Sequence, residues 1–329
     1  MEIDKYSVRL QILGMQETQD KQKYRQLCRT TSLPIFIQDW WWDALCGDSW
    51  DVLLVENSGQ IEAVMPYQIQ KKYGFRLMNK PPFTIYNEPY ICACKNTKQT
   101  DLYSHQFRYL QAIFQLALAK KASIKLQFSP DITHTIGLHQ LGFHVAHHYT
   151  HILAAEDEQL AWERLNRNVK RNILAAQQNT STLLSDDYEI IYTILKGVFS
   201  KSKTPLNLSF EQFERLDMAC KVNKARKIIV AKNASGSIIA FVYLVSDDKK
   251  IYLLISGGEA ADLKSGVMQL LYWEVVKEAI LQQKILDFDG SVLPNIEAII
   301  RSFGGVRTPK TIVTHYSNPL LKAIDYLKS

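Results

Sequence analysis

The segment Lys284–Gly305, KILDFDGSVLPNIEAIIRSFGG, predicts a strand, a turn and a short helix in succession. Its first part is apolar apart from Asp287 and predicts a buried strand. Pro294 suits the first turn of a helix, and the closing pair of glycines suits a helix end. Asp287 and Asp289 therefore lie at the carboxyl end of a buried strand, which is where ligands bind in open α/β sheets.

The two halves of the chain carry a similar order of predicted elements: helices, a run of antiparallel strands, a long helix, a strand, a short helix and a last strand. The triplet 126–128, LQF, corresponds to 286–288, LDF, and 141–143, LGF, corresponds to 303–305, FGG. Self-similarity of this kind indicates repeated structural units. We therefore predict two α/β units, each a mixed, mostly antiparallel sheet flanked by helices. Their predicted boundaries are 1–155 and 156–329.

Four predicted elements have bounds that a structure can test. We predict one helix over 160–178, because apolar residues recur there at spacings of three and four. Apolar runs predict strands over 7–13 and 85–92, and a last strand over 311–315.

The composition is that of a globular protein of ordinary type. Of 329 residues, 47% are hydrophobic and 22% are charged. Such a length exceeds what one core commonly supports and favours two domains. No apolar run reaches the roughly 20 residues that span a bilayer, and the first residues carry no signal-peptide core. We expect a cytoplasmic protein without a transmembrane segment.

The net charge and the potential metal-ligating residues exclude few kinds of chemistry. A formal charge of +6 is compatible with an anionic substrate. The five cysteines are scattered, which argues against a disulfide framework. Six histidines lie within 134–151 but divide between the two faces of a predicted strand, without an HExxH motif, so we predict no metal site. Phosphate-binding loops and the GxSxG motif are also missing from the sequence.

A strand ending in DF-G-S, a short helix and a closing FGG resemble the C-terminal signature of the FemABX-like, peptidoglycan bridge aminoacyltransferase-like proteins of the GNAT acyltransferase superfamily. Weaker likenesses are LPIFIQDWWWDAL at 33–45, MPY at 65–67 and NRNVKRNI at 166–173. The resemblance implies tandem GNAT-like domains around a shared cleft, with the reaction in the second unit. It also implies transfer of an acyl or aminoacyl group to an amine.

Acyl transfer to an amine requires a deprotonated amine, a stabilised carbonyl oxygen and aligned reactants. We predict that Asp289 orients or deprotonates the amine, because it lies in the turn. Ser291 is predicted to help hold the carbonyl, although capping the next helix is its commoner role. His315 is a candidate proton carrier at the end of the final strand.

The predicted substrate-binding residues are mostly basic, since Arg suits bidentate contact with phosphate or carboxylate. A solvated basic helix face is the alternative for the arginines of the helix. The set comprises Asp287, Arg164, Arg167, Arg171, Arg301 and Tyr316.

The loop SGGEAADLKSG at 256–266 precedes a long helix, whose first N–H groups favour an anion. It is the predicted donor site, although it lacks the pyrophosphate pattern of acetyl-CoA-dependent GNAT enzymes. The candidate donor-binding residues are Gly257, Gly258, Lys264, Ser265 and Gly266.

Three functions stay open from the sequence. The first is transfer of an acyl or aminoacyl group to an amine of a small, anionic or peptidoglycan-precursor acceptor. The second is an acyl-CoA-dependent N-acetyltransferase of a sugar amine or amino acid, and the third is a non-catalytic ligand-binding module. We predict no permanently bound cofactor, acyl-CoA or aminoacyl-tRNA as donor, transfer RNA as a possible partner, and no DNA partner.

Overall fold

The structure is a computed structural model that describes residues 17–72, 74–94, 98–154, 157–201, 205–258, 266–289 and 294–326. The helices are α1 (Gln19–Thr30), α2 (Asp39–Cys46), α3 (Gln99–Ala119), α4 (Ile136–Gln140), α5 (Glu158–Arg164), α6 (Arg167–Gln177), α7 (Tyr188–Lys201), α8 (Phe210–Val222), α9 (Val267–Leu281), α10 (Pro294–Arg301) and α11 (Pro319–Tyr326), with a 3₁₀ turn at Ile35–Ile37. The strands are β1 (Asp51–Asn57), β2 (Gln60–Lys72), β3 (Phe75–Asn79), β4 (Tyr90–Ile91), β5 (Ser123–Phe128), β6 (His144–Leu153), β7 (Ser181–Leu184), β8 (Arg226–Lys232), β9 (Ile238–Ser246), β10 (Lys250–Gly258), β11 (Ile285–Asp287) and β12 (Val306–His315).

The described strands form one twelve-stranded sheet in the order β1-β2-β3-β5-β12-β6-β11-β10-β9-β8-β7, with β4 beside β2. In the first half, β1, β2 and β3 are antiparallel and β3 is parallel to β5. In the second half, β8, β9 and β10 are antiparallel and β10 is parallel to β11. The two halves of the sheet therefore repeat one strand pattern.

The last strand of each half lies against a strand of the other half. β6 pairs with β11, β12 pairs with β5, and β6 and β12 pair with each other at the centre. The sheet is therefore continuous across the predicted boundary at residue 155, which stays a prediction. This exchange brings the carboxyl ends of β5 and β11 to opposite sides of the central pair.

Helices cover the sheet and bury three apolar clusters. The first joins the two halves, because the rings of Phe36 and Tyr252 lie 4.8 Å apart. Trp41 and Trp42 in α2 are completely buried in the same cluster. Aromatic packing of this kind contributes strongly to core stability, so the N-terminal helices also fix the second half of the sheet.

The structure confirms β11 and α10 in the segment that predicts the fold, and corrects three other elements. The predicted helix over 160–178 is two helices, because Leu165 is extended and the side chain of Asn166 caps α6. The predicted strand over 85–92 is reduced to β4, and the residues before it bond to strand ends elsewhere. The last strand begins at Val306 rather than 311. The strand predicted at 7–13 lies outside the described residues.

We expect Gly266→Ala to destabilise the protein more than Gly236→Ala. Both glycines have a left-handed backbone, with φ of +84° and +82°. A Cβ on Gly266 would lie against the backbone carbonyl of Asn172 in α6, 2.9 Å from its carbon, whereas one on Gly236 meets no atom within 4 Å. Backbone strain alone costs about 1–2 kcal/mol, and the added clash should bring the cost at Gly266 to roughly 3 kcal/mol or more.

Urea unfolding of the two variants measures this difference. Equal losses of the free energy of unfolding would show that the start of α9 does not rest on α6 in the way the structure indicates.

Candidate active site

Asp287 is the last residue of β11, and its side chain is completely buried. Its carboxylate accepts hydrogen bonds from the Tyr86 hydroxyl at 2.7 Å, from the hydroxyl of Thr150 on β6, and from the backbone N–H of Asp289 at 2.9 Å. Burial raises the pKa of Asp287, and the hydrogen bonds oppose that rise. All three partners belong to the protein, which favours a positioning role over the predicted contact with substrate.

Asp289 occupies the turn after β11 with a left-handed backbone, φ +50°. A non-glycine residue rarely adopts this conformation, and functional sites often hold such residues. The hydrogen bond from its N–H to Asp287 holds the turn. Its half-buried carboxylate pairs with the ammonium group of Lys310 on β12, with 2.7 Å between Oδ1 and Nζ, and Lys310 is almost fully buried. The candidate catalytic carboxylate is therefore already ion-paired.

Lys80, which follows β3, brings a second amine toward this ion pair. Its side chain is half-buried, and its Nζ donates a hydrogen bond to the carbonyl of Ile85 at 3.1 Å. Burial lowers the pKa of Lys80 to about 8; Asp289 opposes this shift and Lys310 adds to it. Asp289, Lys310 and Lys80 therefore form one electrostatic group, which we call the central triad.

Lys80 also lines a cleft of about 1060 Å³. The cleft lies between the end of α2, strands β2 and β3, and helix α8, so that both halves of the chain contribute. Its charged lining is mostly basic. The charged residues are Arg25, Lys72, Lys80 and Arg215 against Asp43 and Asp48. A cleft of this size and sign can hold an anionic small molecule.

The segment from Ile85 to Glu88 connects the two equivalent strand ends of the repeat. Tyr86 donates to Asp287 after β11, while the hydroxyl of Ser129, just after β5, donates to the carboxylate of Glu88 at 2.9 Å. The backbone N–H of Ser129 donates to the same carboxylate. Burial raises the pKa of Glu88 to about 7. The sequence repeat therefore predicts which strand ends are equivalent, and the structure shows that one segment ties them together.

The predicted basic residues do not all come together. Arg164 and Arg301 lie at the same turn, because a Cβ on Gly304 would be 3.6 Å from the Cβ of Arg164. Arg301 is exposed, with Glu297 4.0 Å away. Arg167 and Arg171 are exposed along α6. All four positions stay predictions as substrate contacts.

His315 and Tyr316 lie away from the central triad. His315 is five residues beyond Lys310 on β12, which corresponds to about 17 Å along a strand. Its ring lies 5.1 Å from that of Phe143, and burial lowers its pKa. The hydroxyl of Tyr316 donates to Asp325 at 3.0 Å. The structure brings neither residue to Asp289, so the predicted proton-carrier role has no geometric support.

The predicted donor residues are only partly described. Gly257 lies in β10, where a Cβ would be 3.1 Å from Val198 and 3.3 Å from Phe241, so side chains of the protein occupy that space. Gly258 pairs with Ala240 in the same sheet. Gly266 is the N-cap of α9 and, as a glycine, has no side chain to cap the helix. Ser291, Lys264 and Ser265 lie outside the described residues.

Within the described ranges, no group of three or more His, Cys, Asp or Glu side chains is placed to hold a metal ion. The histidines at 134–151 have other contacts: the ring of His134 lies 3.9 Å from that of Tyr103, and His151 is buried 3.5 Å from Glu297. A membrane-spanning helix is not found among the described helices either.

Sequence reasoning missed four residues of the site: Lys80, Tyr86, Thr150 and Lys310. Each is far from Asp287 and Asp289 in the chain, and none belongs to a motif. The internal repeat carries the usable signal, because it places the segment after β3 in the position equivalent to the predicted donor loop after β10. That β6 supplies Thr150 and β12 supplies Lys310 follows only from the exchange of the last strands.

We expect Tyr86→Phe to lower the free energy of unfolding more than Tyr316→Phe. Tyr86 is buried and donates to the buried Asp287, whereas Tyr316 is half-buried and donates to Asp325, which Lys125 also contacts at 3.3 Å. Loss of a donor to a buried acceptor costs about 1–3 kcal/mol, and a change near the surface costs within about 0.5 kcal/mol. Urea unfolding measures the free energy of unfolding of both variants. Equal losses would contradict the conclusion that the buried carboxylate of Asp287 depends on the hydrogen bond from Tyr86.

The raised pKa of Glu88 predicts a pH-dependent stability. The protonated form is favoured in the folded state, so the contribution is fully present below the unfolded pKa of about 4.5 and is lost as pH rises through about 7. Between pH 4 and pH 8, wild type should therefore lose roughly 3 kcal/mol of its free energy of unfolding relative to Glu88→Gln. Unfolding series at several pH values test this, and parallel pH profiles would contradict it.

The comparisons with known proteins concern structure. No protein-family model matches the sequence, and no curated protein is similar to it. The structure is similar to that of FemX, with a TM-score of 0.67 and 12% identity over 94% of this chain and 99% of that chain. It is also similar to L-PGS from Bacillus licheniformis, with a TM-score of 0.53 and 12% identity over 92% and 94% of the two chains.

A third similar structure is a tandem GNAT protein from the clavulanic acid biosynthesis pathway. Its TM-score is 0.52 and its identity 9%, over 92% of this chain and 98% of that chain. These likenesses confirm the predicted fold class, a mixed α/β fold with a mostly antiparallel sheet flanked by helices. The chain therefore has the fold of FemX and of tandem GNAT proteins, as the resemblance at residues 285–305 predicts.

Proposed function

We propose that the protein transfers an acyl or aminoacyl group to an amine of a small anionic acceptor. The observation that carries the proposal is the central triad, which places a carboxylate and two amines at the end of β11, next to a cleft of about 1060 Å³. In this proposal the half-exposed carboxylate of Asp289 binds and orients the acceptor amine. The hydrogen bond from Lys310 holds that carboxylate in place.

The acceptor lies in the cleft, with its amine toward Lys80 and its anionic part toward the basic lining. Arg215 is held for this by a hydrogen bond from its Nε to the carbonyl of Ala44 at 2.9 Å. That orientation leaves the other guanidinium nitrogens to contact a phosphate or carboxylate. A cell-envelope precursor is an acceptor of this chemistry, and the relatives in structure include FemX.

The donor is an acyl ester or thioester, such as an aminoacyl-tRNA or an acyl-CoA. The N-terminus of α9, where the N-cap is Gly266, is the proposed place for its phosphate groups. The exposed arginines at 164, 167, 171 and 301 are the surface that a larger anionic donor such as transfer RNA would contact. No cofactor needs to be permanently bound for this reaction.

We expect Asp289→Asn to abolish transfer while the protein stays folded. Asparagine keeps the shape of the side chain but removes the charge that holds the acceptor ammonium and Lys310. Mass spectrometry of UDP-linked precursors, amino sugars and amino acids, incubated with aminoacyl-tRNA or acetyl-CoA, detects the product. Asp20→Asn, an exposed change in α1, is the matched control and should keep wild-type turnover.

Unchanged turnover in Asp289→Asn would remove Asp289 from the reaction. A product formed only from acetyl-CoA would assign the protein to the acyl-CoA-dependent N-acetyltransferases. Binding of a precursor without transfer from any donor would instead support a non-catalytic binding module.

A further inference from the structure

The proposed function gives Lys80 no chemical role. Lys80 lines the acceptor cleft and interacts electrostatically with Asp289 and Lys310. In the part of the chain that the structure describes, the one hydrogen-bond partner of its Nζ is a neutral carbonyl, that of Ile85. The same carbonyl also accepts a hydrogen bond from the side chain of Gln127 at 2.9 Å, which fixes it in place. The amine of Lys80 is therefore held at the cleft without a carboxylate of its own.

The ion pair distinguishes Lys80 from the other two members of the central triad. Lys310 is almost fully buried and its Nζ donates to Oδ1 of Asp289 at 2.7 Å, so its ammonium group is already engaged. The same contact engages Oδ1 of Asp289. A general base must lie within reach of the proton that it removes and must have a pKa near the working pH. Lys80 lines the cleft, its Nζ donates to a neutral carbonyl, and burial lowers its pKa to about 8.

We propose that Lys80 is the general base that deprotonates the acceptor amine, a role that rests on the proposed function. The neutral Nζ of Lys80 takes one proton from the acceptor ammonium. The free amine then attacks the acyl carbon, the new C–N bond forms, and the bond from that carbon to the donor oxygen or sulfur breaks. Its electron pair leaves with the oxygen or sulfur, which takes the second proton from nitrogen. Lys80 afterwards releases its proton to water.

Several charged groups bear on the pKa of Lys80. Asp289 faces it from the turn after β11 and Lys310 from β12, with opposite effects. The other charged groups that line the cleft are Arg25, Lys72, Arg215, Asp43 and Asp48. Because burial lowers the pKa of Lys80 to about 8, we expect this lysine to titrate near that pH in the folded protein. Neutralising Asp289 should lower that midpoint further, and removing Lys310 should raise it.

A first experiment measures the titration without any substrate. Lysines of the intact protein are labelled by reductive ¹³C-methylation and followed by NMR from pH 6 to pH 11. We expect one resonance with a midpoint near 8, absent in Lys80→Arg and present in the control Lys23→Arg, which changes a surface lysine paired with Glu56. The midpoint should fall in Asp289→Asn and rise in Lys310→Met. A Lys80 that titrates above 10 overturns the proposal whatever the activity.

A second experiment measures transfer against pH. Arginine stays protonated at every accessible pH, so Lys80→Arg should keep acceptor binding and lose turnover by about a hundredfold or more, within the range that general bases contribute. The wild-type rate should rise with a midpoint near 8. Transfer with wild-type rate and pH profile in Lys80→Arg overturns the role of Lys80 and leaves the proposed function standing. Absence of transfer by wild type overturns both, even where Lys80 titrates near 8.

Discussion

The buried carboxylate of Asp287 is the constraint on which the centre of the molecule depends. Burying a carboxylate costs free energy unless its oxygens accept hydrogen bonds. Here the donors come from Tyr86, from Thr150 on β6 and from the turn that Asp287 itself begins. Satisfying this one group therefore fixes a connecting segment, a strand of the other half and the left-handed turn at Asp289. The site is arranged by that requirement before any substrate enters it.

The exchange of last strands explains why the site belongs to neither half alone. β6 brings Thr150 to β11, and β12 brings Lys310 to the turn after β11. The segment after β3 then supplies Lys80 and Tyr86 from the first half. Two copies of one unit have thus become unequal: after β5 a serine holds Glu88, whereas after β11 an aspartate holds a lysine. Two polar differences at equivalent strand ends, Gln127 against Asp287 and Ser129 against Asp289, separate the structural side from the side proposed to be reactive.

Much of the fold could be predicted from the sequence, since local rules govern its elements. Pro294, the paired glycines and the apolar residues around Asp287 specify β11 and α10, and the repeated triplets indicate two equivalent units. The helix break at Leu165 was missed, because apolar spacing continues across it and only the cap at Asn166 marks the boundary. Asp289 could be predicted as a site residue from its turn. Lys80 and Lys310 could not, because their place follows from strand pairings between residues far apart in the chain.

The central position of β12 also has a consequence for how the chain folds. β12 begins at Val306 and lies between β5 and β6, which end at Phe128 and Leu153. During synthesis, the edges of β5 and β6 that pair with β12 therefore stay unpaired until β12 has left the ribosome. Pairings between residues so far apart slow folding, and open strand edges invite association with other chains. The feature that assembles the site at the centre of the sheet thus leaves strand edges of the nascent first half open to such association until residue 315 is available.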